Sequence, residues 1–214
     1  MASSTKIAVI GAGNVGGNLG STLSKAGFPV QFGVRPGSDA KGVLDRSAKD
    51  ASTADPAAAA RWGDVVFLAV PGSAAVDVAR GLAAELAGKV VVDCNNPLVW
   101  KDGPVWTPPA EGSLAAAIAK AAPGARVVKG FNTFGAEFHA NPKLAGVPAD
   151  VYLAGDDADA KKTLSEIATQ AGFSPVDAGP LRNAPVLENV AMLWIHLATV
   201  GGQGRSFVLH MQRA

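Results

Sequence analysis

The chain has 214 residues, 48% of them hydrophobic, and its 19 Lys plus Arg against 18 Asp plus Glu leave a formal net charge of +1. That length fills one well-buried domain and is too short for two full ones; the balanced charge gives no electrostatic reason to expect nucleic acid or a membrane surface as a partner. The lone cysteine, Cys94, cannot form an internal disulfide, and residues 1–6 lack the apolar core of a signal peptide, so a reducing cytoplasm is the expected setting.

Residues 6–10 are a continuous apolar run and predict a strand. Residues 14–26 have helical spacing and stop at Gly27. A second strand is expected at 30–34. Asp55-Pro56 reads as a cap followed by a first-turn proline, opening a short helix to Trp62. A third strand, 65–70, is stopped by Pro71-Gly72, and Ser73 is placed to cap a helix reaching about Ala87. Residues 90–93 form another strand, broken by Asn95-Asn96-Pro97. Residues 98–112, rich in Pro, Gly and Trp, read as a loop. A helix at 113–122 and a strand at 126–129 follow. Strands at 150–154 and 174–177 flank a helix at 157–171.

A long helix from about Leu181 to Val200 closes the chain. It carries Glu188, Asn189 and His196, so it reads as a buried helix and not a membrane span. Its apolar residues, among them Leu187, Leu193, Trp194 and Leu197, cover more than one stripe. Burial nearly all round is therefore expected, against the domain or against a second copy in a homodimer. Strands apolar throughout are buried on both faces. Their alternation with helices predicts an α/β, Rossmann-type doubly wound parallel sheet with a C-terminal helical tail. Residues 1–179 are expected to form a nucleotide-binding domain, with 180–214 packing on it or on a dimer partner.

Gly11-Ala12-Gly13-Asn14-Val15-Gly16 is a G-x-G-x-x-G that directly follows a strand and opens a helix, the context that makes the motif specific for a dinucleotide. Gly11 permits the tight turn, Gly13 close approach of the pyrophosphate, and Gly16 close packing of helix on strand. Free N–H groups near Asn14 and Val15 would hold the phosphates. An Asp or Glu at the end of the second strand would mark NAD; Arg35 stands there instead, with Ser38 and Lys41 nearby, which favours the 2′-phosphate of NADP. Ala69, Val70 and Pro71 end one strand at the carboxyl edge, where ligands of this fold bind. Asn96 and Pro97 end the next, and Asn132 and Thr133 follow the strand 126–129. Their amide and hydroxyl groups suit the carboxamide and ribose of the cofactor, or cap turns.

His139 lacks a visible carboxylate or metal partner and reads as a surface or capping residue; His196 reads as a hydrogen-bonded core residue. The three histidines and Cys94 lack metal-ligand spacing, so no metal is expected. In the long loop, a tryptophan, Trp100 or Trp106, either covers a second ring substrate or anchors its own loop.

Six elements in order carry a family resemblance: the 11–16 motif; Gly33-Val34-Arg35; Asp93-Cys94-Asn95-Asn96-Pro97; Val128-Lys129-Gly130-Phe131-Asn132-Thr133; Ala154-Gly155-Asp156-Asp157; and Pro175-Val176-Asp177-Ala178-Gly179-Pro180-Leu181. Together they resemble the F-420-dependent NADP oxidoreductase family and the related cytoplasmic reductase domain of membrane ferric reductases. The resemblance implies hydride transfer between NADP(H) and a flavin-like ring, with Arg35 gripping the 2′-phosphate. It places Asn132, Thr133 and Ala136 beside the nicotinamide, Pro71 flanking the same site, and a homodimer. The acceptor is left open among deazaflavin coenzyme F-420, FMN, FAD or another small molecule, because Asn132-Thr133 replaces the His-Thr of the deazaflavin enzymes. Two other functions share the N-terminal half: an NADPH-dependent imine or small carbonyl reductase, expected to need a large helical second domain where 35 residues follow Gly179, and a non-catalytic NADP-binding protein.

Overall fold

A computed structural model describes residues 5–212 of the chain. The apolar runs form strands β1 (Ile7–Ile10), β2 (Val30–Gly33), β3 (Ser52–Ala54), β4 (Val65–Leu68), β5 (Val90–Asp93), β8 (Arg126–Lys129), β11 (Asp150–Gly155) and β12 (Ser174–Asp177). They join in one sheet of order β12-β11-β8-β5-β4-β1-β2-β3, parallel except where β11 runs against β8. Register matters most for the site. Gly33 lies beside Ile10, Ile10 beside Leu68, Leu68 beside Asp93, and Asp93 beside Lys129, so five strand ends share one carboxyl edge.

The strands feed two cores by simple alternation. Ile7, Val9, Val65 and Phe67 face one layer, with Leu19 and Leu23 of α1 (Asn14–Lys25) and Leu164 and Ile167 of α8 (Ala158–Gln170). Ala8, Ile10, Val66 and Leu68 face the other, against α3 (Pro56–Trp62), α4 (Gly72–Gly81), α5 (Ala83–Leu86) and α6 (Leu114–Ala121). Three helix starts carry the side-chain caps their sequences advertise: the side chains of Asp55, Ser113 and Asp157 each accept an N–H three residues on.

Elsewhere the structure departs from the sequence reading. Ser73 caps nothing: α4 already starts at Gly72 with Pro71 at its head, and stops at Gly81 before the short α5. Residues 98–112 are not only loop. β6 (Leu98–Trp100) and β7 (Pro104–Trp106) pair as an antiparallel hairpin, turned by Asp102 at φ 54° and Gly103. Short pieces without strong periodicity were not anticipated: β3, α2 (Lys41–Asp45), α7 (Ala136–Ala140) and the small hairpin of β9 (Lys143–Leu144) and β10 (Val147–Pro148).

The closing helix α9 (Ala184–Ala198) follows a 3-10 turn at Leu181–Asn183. It is not buried all round: Val186, Leu193 and Val200 just past its end are 60%, 50% and 51% exposed, and His196 is exposed instead of lying in the core. Only the face with Leu187, Ala191 and Trp194 is covered, because the helix lies across the edge of one domain. Beyond it the tail folds back. Phe207 stacks on Trp194 at 5.3 Å, and Arg205 makes two 2.9 Å bonds to Glu137 of α7. Among the described residues no helix is long and apolar enough to cross a membrane.

Candidate functional site

The glycine turn is set by close backbone approach. Gly11 sits at φ 103°, and a Cβ there would lie 2.3 Å from the Ala69 carbonyl oxygen. A Cβ on Gly16 would lie 2.1 Å from the Gly11 carbonyl oxygen, so helix and strand meet at bare backbone. Gly13 differs: nothing stands within 4 Å of where its Cβ would be. It heads α1 without a side-chain cap or an acidic residue in the first turn, so among the described residues no side chain caps the first amides.

A cleft of about 630 Å³ opens in front of this turn, within the range of small-molecule and cofactor sites. The structure brings Gly11, Gly13, Arg35, Ser38, Ala69, Val70 and Pro71 to its wall, together with Asp39 and the apolar side of α4 at Ala74 and Val78. Arg35 makes no ion pair among the described residues. Asn14, Val15 and Gly16 form the helical turn behind the rim. Lys41 does not line the cleft: its ammonium pairs with Asp45 at 2.8 Å within α2, an i,i+4 contact that points it outward.

The residues after β5 and β8 are placed differently from the open edge expected of them. Asn132 and Thr133 are buried, Pro97 is buried, and Asn96 and Ala136 are half-buried; none lines the cleft. The two amides hold each other. Asn132 Nδ2 donates to Asn96 Oδ1 at 2.9 Å and to the Leu187 carbonyl at 3.1 Å, while Asn96 Nδ2 donates to the Asn132 carbonyl at 3.0 Å. Asn132 Oδ1 is buried with no hydrogen-bond partner among the described residues. Helix α9 covers this edge, which sequence spacing alone could not show.

Beneath these amides lies a charge cluster that the sequence reading missed. Lys129, Asp93 and Glu188 are fully buried. Lys129 Nζ is 2.9 Å from Asp93 Oδ2 and 3.4 Å from Glu188 Oε1, and it donates to the Asn95 carbonyl. Asp93 Oδ1 accepts both the backbone and side-chain N–H of Asn95, at 3.0 and 2.9 Å. Glu188 Oε1 accepts Leu114 N and Oε2 accepts Trp106 Nε1, each at 2.9 Å. Burial pushes the Glu188 carboxyl up from its ordinary value, against the pull of Lys129, Trp106 and Leu114. The available signal was a lysine closing an apolar strand and a glutamate inside an apolar helix, both costly to bury unless paired.

Trp106 therefore anchors its hairpin to α9. Trp100 is 57% exposed near the hairpin tip, where Gly103 abuts Val200, roughly 20 Å along the helix from Leu187 at 1.5 Å per residue. That placement favours the anchoring alternative over a lid. Trp106→Phe removes the N–H from a buried carboxylate and is expected to lower stability by about 1.5–3 kcal/mol in urea denaturation; an unchanged midpoint would contradict the anchor.

His139 is buried, not a surface residue. Its Nε2 donates to the Phe131 carbonyl at 2.8 Å, bracing Phe131 in the left-handed region at φ 59°. Burial lowers its pKa from 6.5 to about 4. The ring stays neutral when folded and charges on unfolding, so its contribution is complete above about pH 6.5 and declines as pH falls toward 4. Stability of the wild type measured from pH 7 to 4.5 should fall more steeply than that of His139→Gln; parallel curves would contradict the burial argument. Burial likewise pushes the Cys94 thiol up, keeping it protonated and inert. Among the described residues no group of His, Cys, Asp and Glu could hold a metal ion.

The chain is 32% identical over 211 residues to the F420-dependent NADP reductase of Methanothermobacter marburgensis, covering 90% of this chain and 92% of that one. The chain belongs to the F420-dependent NADP oxidoreductase family. The family described as NADP oxidoreductase, coenzyme F420-dependent, matches residues 6–97, from β1 through the Asn95-Asn96-Pro97 turn. A solved structure provisionally named an F420-dependent NADP reductase, from Arthrobacter sp. FB24, superposes with a TM-score of 0.86 at 28% identity over 98% of this chain and 100% of that chain. The rat metalloreductase STEAP3 is 30% identical over 188 residues, 87% of this chain, but the chain spans only 36% of that relative's length. Membership of the F420-dependent NADP oxidoreductase family thus rests on nearly the whole chain, not on the glycine motif alone.

Proposed function

We propose that this chain is an NADP(H)-dependent oxidoreductase that moves a hydride between NADPH and a deazaflavin or flavin-type ring. The observation that carries the reading is the Arg35 guanidinium, unpaired among the described residues, in the same cleft as the bare Gly11–Gly13 turn. The cleft suits the adenosine end of the dinucleotide. Arg35 and Ser38 would take the 2′-phosphate, the former through a bidentate grip. The uncapped first turn of α1, at Asn14 and Val15, would take the pyrophosphate. Ala69, Val70 and Pro71 would flank the path onward to Asn96, Pro97, Asn132, Thr133 and Ala136, which we assign to the nicotinamide end.

When bound, the dinucleotide supplies or accepts the hydride. The protein's part is to orient two rings at near contact and to exclude water. No general acid is needed for that transfer, and the buried, neutral His139 is committed to Phe131. The names of the relatives favour the deazaflavin as acceptor, and Asn132 in place of histidine keeps FMN and FAD in view. The exposed apolar residues of α9 support a homodimer.

The test is spectroscopic. Purified protein is mixed with NADPH and, in turn, oxidised coenzyme F-420, FMN, FAD and a panel of cyclic imines, and nicotinamide absorbance is followed. Consumption with a deazaflavin or flavin is expected. Consumption with imines only, or tight NADPH binding without turnover on any acceptor, would overturn the reading.

A further inference from the structure

We propose that the Asp93–Lys129–Glu188 cluster leaves a buried excess of negative charge beneath the nicotinamide end of the site, and that this charge stabilises the oxidised, cationic nicotinamide over the neutral reduced one. The inference rests on the nucleotide reading above. Two fully buried carboxylates share one fully buried ammonium. Both oxygens of Glu188 accept N–H bonds, and Asp93 accepts two from Asn95 besides its contact with Lys129. Every one of these N–H bonds is made to a carboxylate oxygen, which favours the anions against the cost of burying them. Among the described residues no second cation reaches the cluster. The head of α6, through Leu114 N, offsets only part of the excess.

Position makes the charge relevant. Asp93 and Lys129 are paired final residues of β5 and β8. Lys129 grips the Asn95 carbonyl, one residue before Asn96, and Asn96 holds Asn132. The excess charge therefore lies directly behind the turn assigned to the nicotinamide. Buried, it is little screened by salt. Loss of a hydride to the acceptor ring takes the nicotinamide from neutral to +1, and a nearby negative charge favours that product. The bound donor becomes a stronger reductant, which biases the site toward NADPH as electron source.

The experiment measures dissociation constants of NADP⁺ and NADPH for the wild type and for Glu188→Gln by calorimetric titration. At about 10 Å and an effective dielectric near 20, reduced by the α6 offset, Kd(NADP⁺)/Kd(NADPH) should rise about three- to tenfold in the variant. Trp106→Phe, which disturbs the same carboxylate without changing charge, should leave the ratio within about twofold; a merely structural role would move both affinities together in both variants. Should Glu188→Gln not fold, Asp93→Asn must raise the ratio in the same direction. An unchanged ratio with both nucleotides bound overturns the inference alone. A wild type that binds neither nucleotide overturns the nucleotide reading, and this inference with it.

Discussion

Lys129→Met is expected to lower stability by about 3–5 kcal/mol, the cost of removing one partner from a buried ion pair. The side chain is fully buried, so the methionine replaces its volume but not its charge. Asp93 and Glu188 would then face each other without the ammonium that stands 2.9 and 3.4 Å from them. Their cheapest response is to take up protons, so both carboxyls rise in the folded variant. The folded state then binds more protons than the unfolded chain. The deficit should accordingly be largest near pH 8 and shrink as pH falls toward 5. Urea denaturation at both pH values reads it, and the midpoint of thermal unfolding should drop by roughly 10 °C near neutrality. A loss below about 1 kcal/mol at pH 8 would mean that the cluster is already neutralised in the wild type.

Arg35→Ala should weaken NADPH binding by about 1.5–3 kcal/mol, or roughly ten- to 150-fold, as loss of charged hydrogen bonds requires. The side chain stands at the wall of the cleft without a carboxylate partner among the described residues, so its removal leaves no buried group unsatisfied and should spare stability. NADH, which lacks the 2′-phosphate, should lose little. Arg35→Lys should recover only part of the affinity, because an ammonium cannot grip bidentately. Equal losses for NADPH and NADH would remove Arg35 from the phosphate site.

The parts of the fold legible in the sequence are those governed by neighbours along the chain. The β1–α1 turn, the Asp55-Pro56 helix start and the alternation of buried strands follow from local sterics, capping and period, and the structure carries all three. Ser73 does not cap because Pro71, two residues earlier, already stands at the head of the helix. Lys41 stands away from the cleft because Asp45, four residues on, pairs with its ammonium. The hairpin of Leu98 to Trp106 has a legible turn signal in Asp102-Gly103 between apolar runs, but its strands are three residues each, too short to show alternation.

What lay beyond the sequence is long-range. Lys129 meets Glu188 across 59 positions, and Glu188 meets Trp106 across 82. No local period reports such pairings, although a charge inside an apolar run signals that a partner exists. His139 looked unpartnered for the same reason: its acceptor is a backbone carbonyl, invisible in side-chain chemistry. The glycine turn is readable in the sequence; the closed edge at Asn96 and Asn132, and the charge behind it, are not.

The most direct measurement is a parallel titration of the wild-type protein with NADPH and NADH under identical salt. An uncapped helix head and a guanidinium unpaired among the described residues, on one cleft wall, predict NADPH bound at least about tenfold tighter than NADH. Equal affinities, or no binding of either up to millimolar concentration, would contradict the assignment of this cleft to NADP(H).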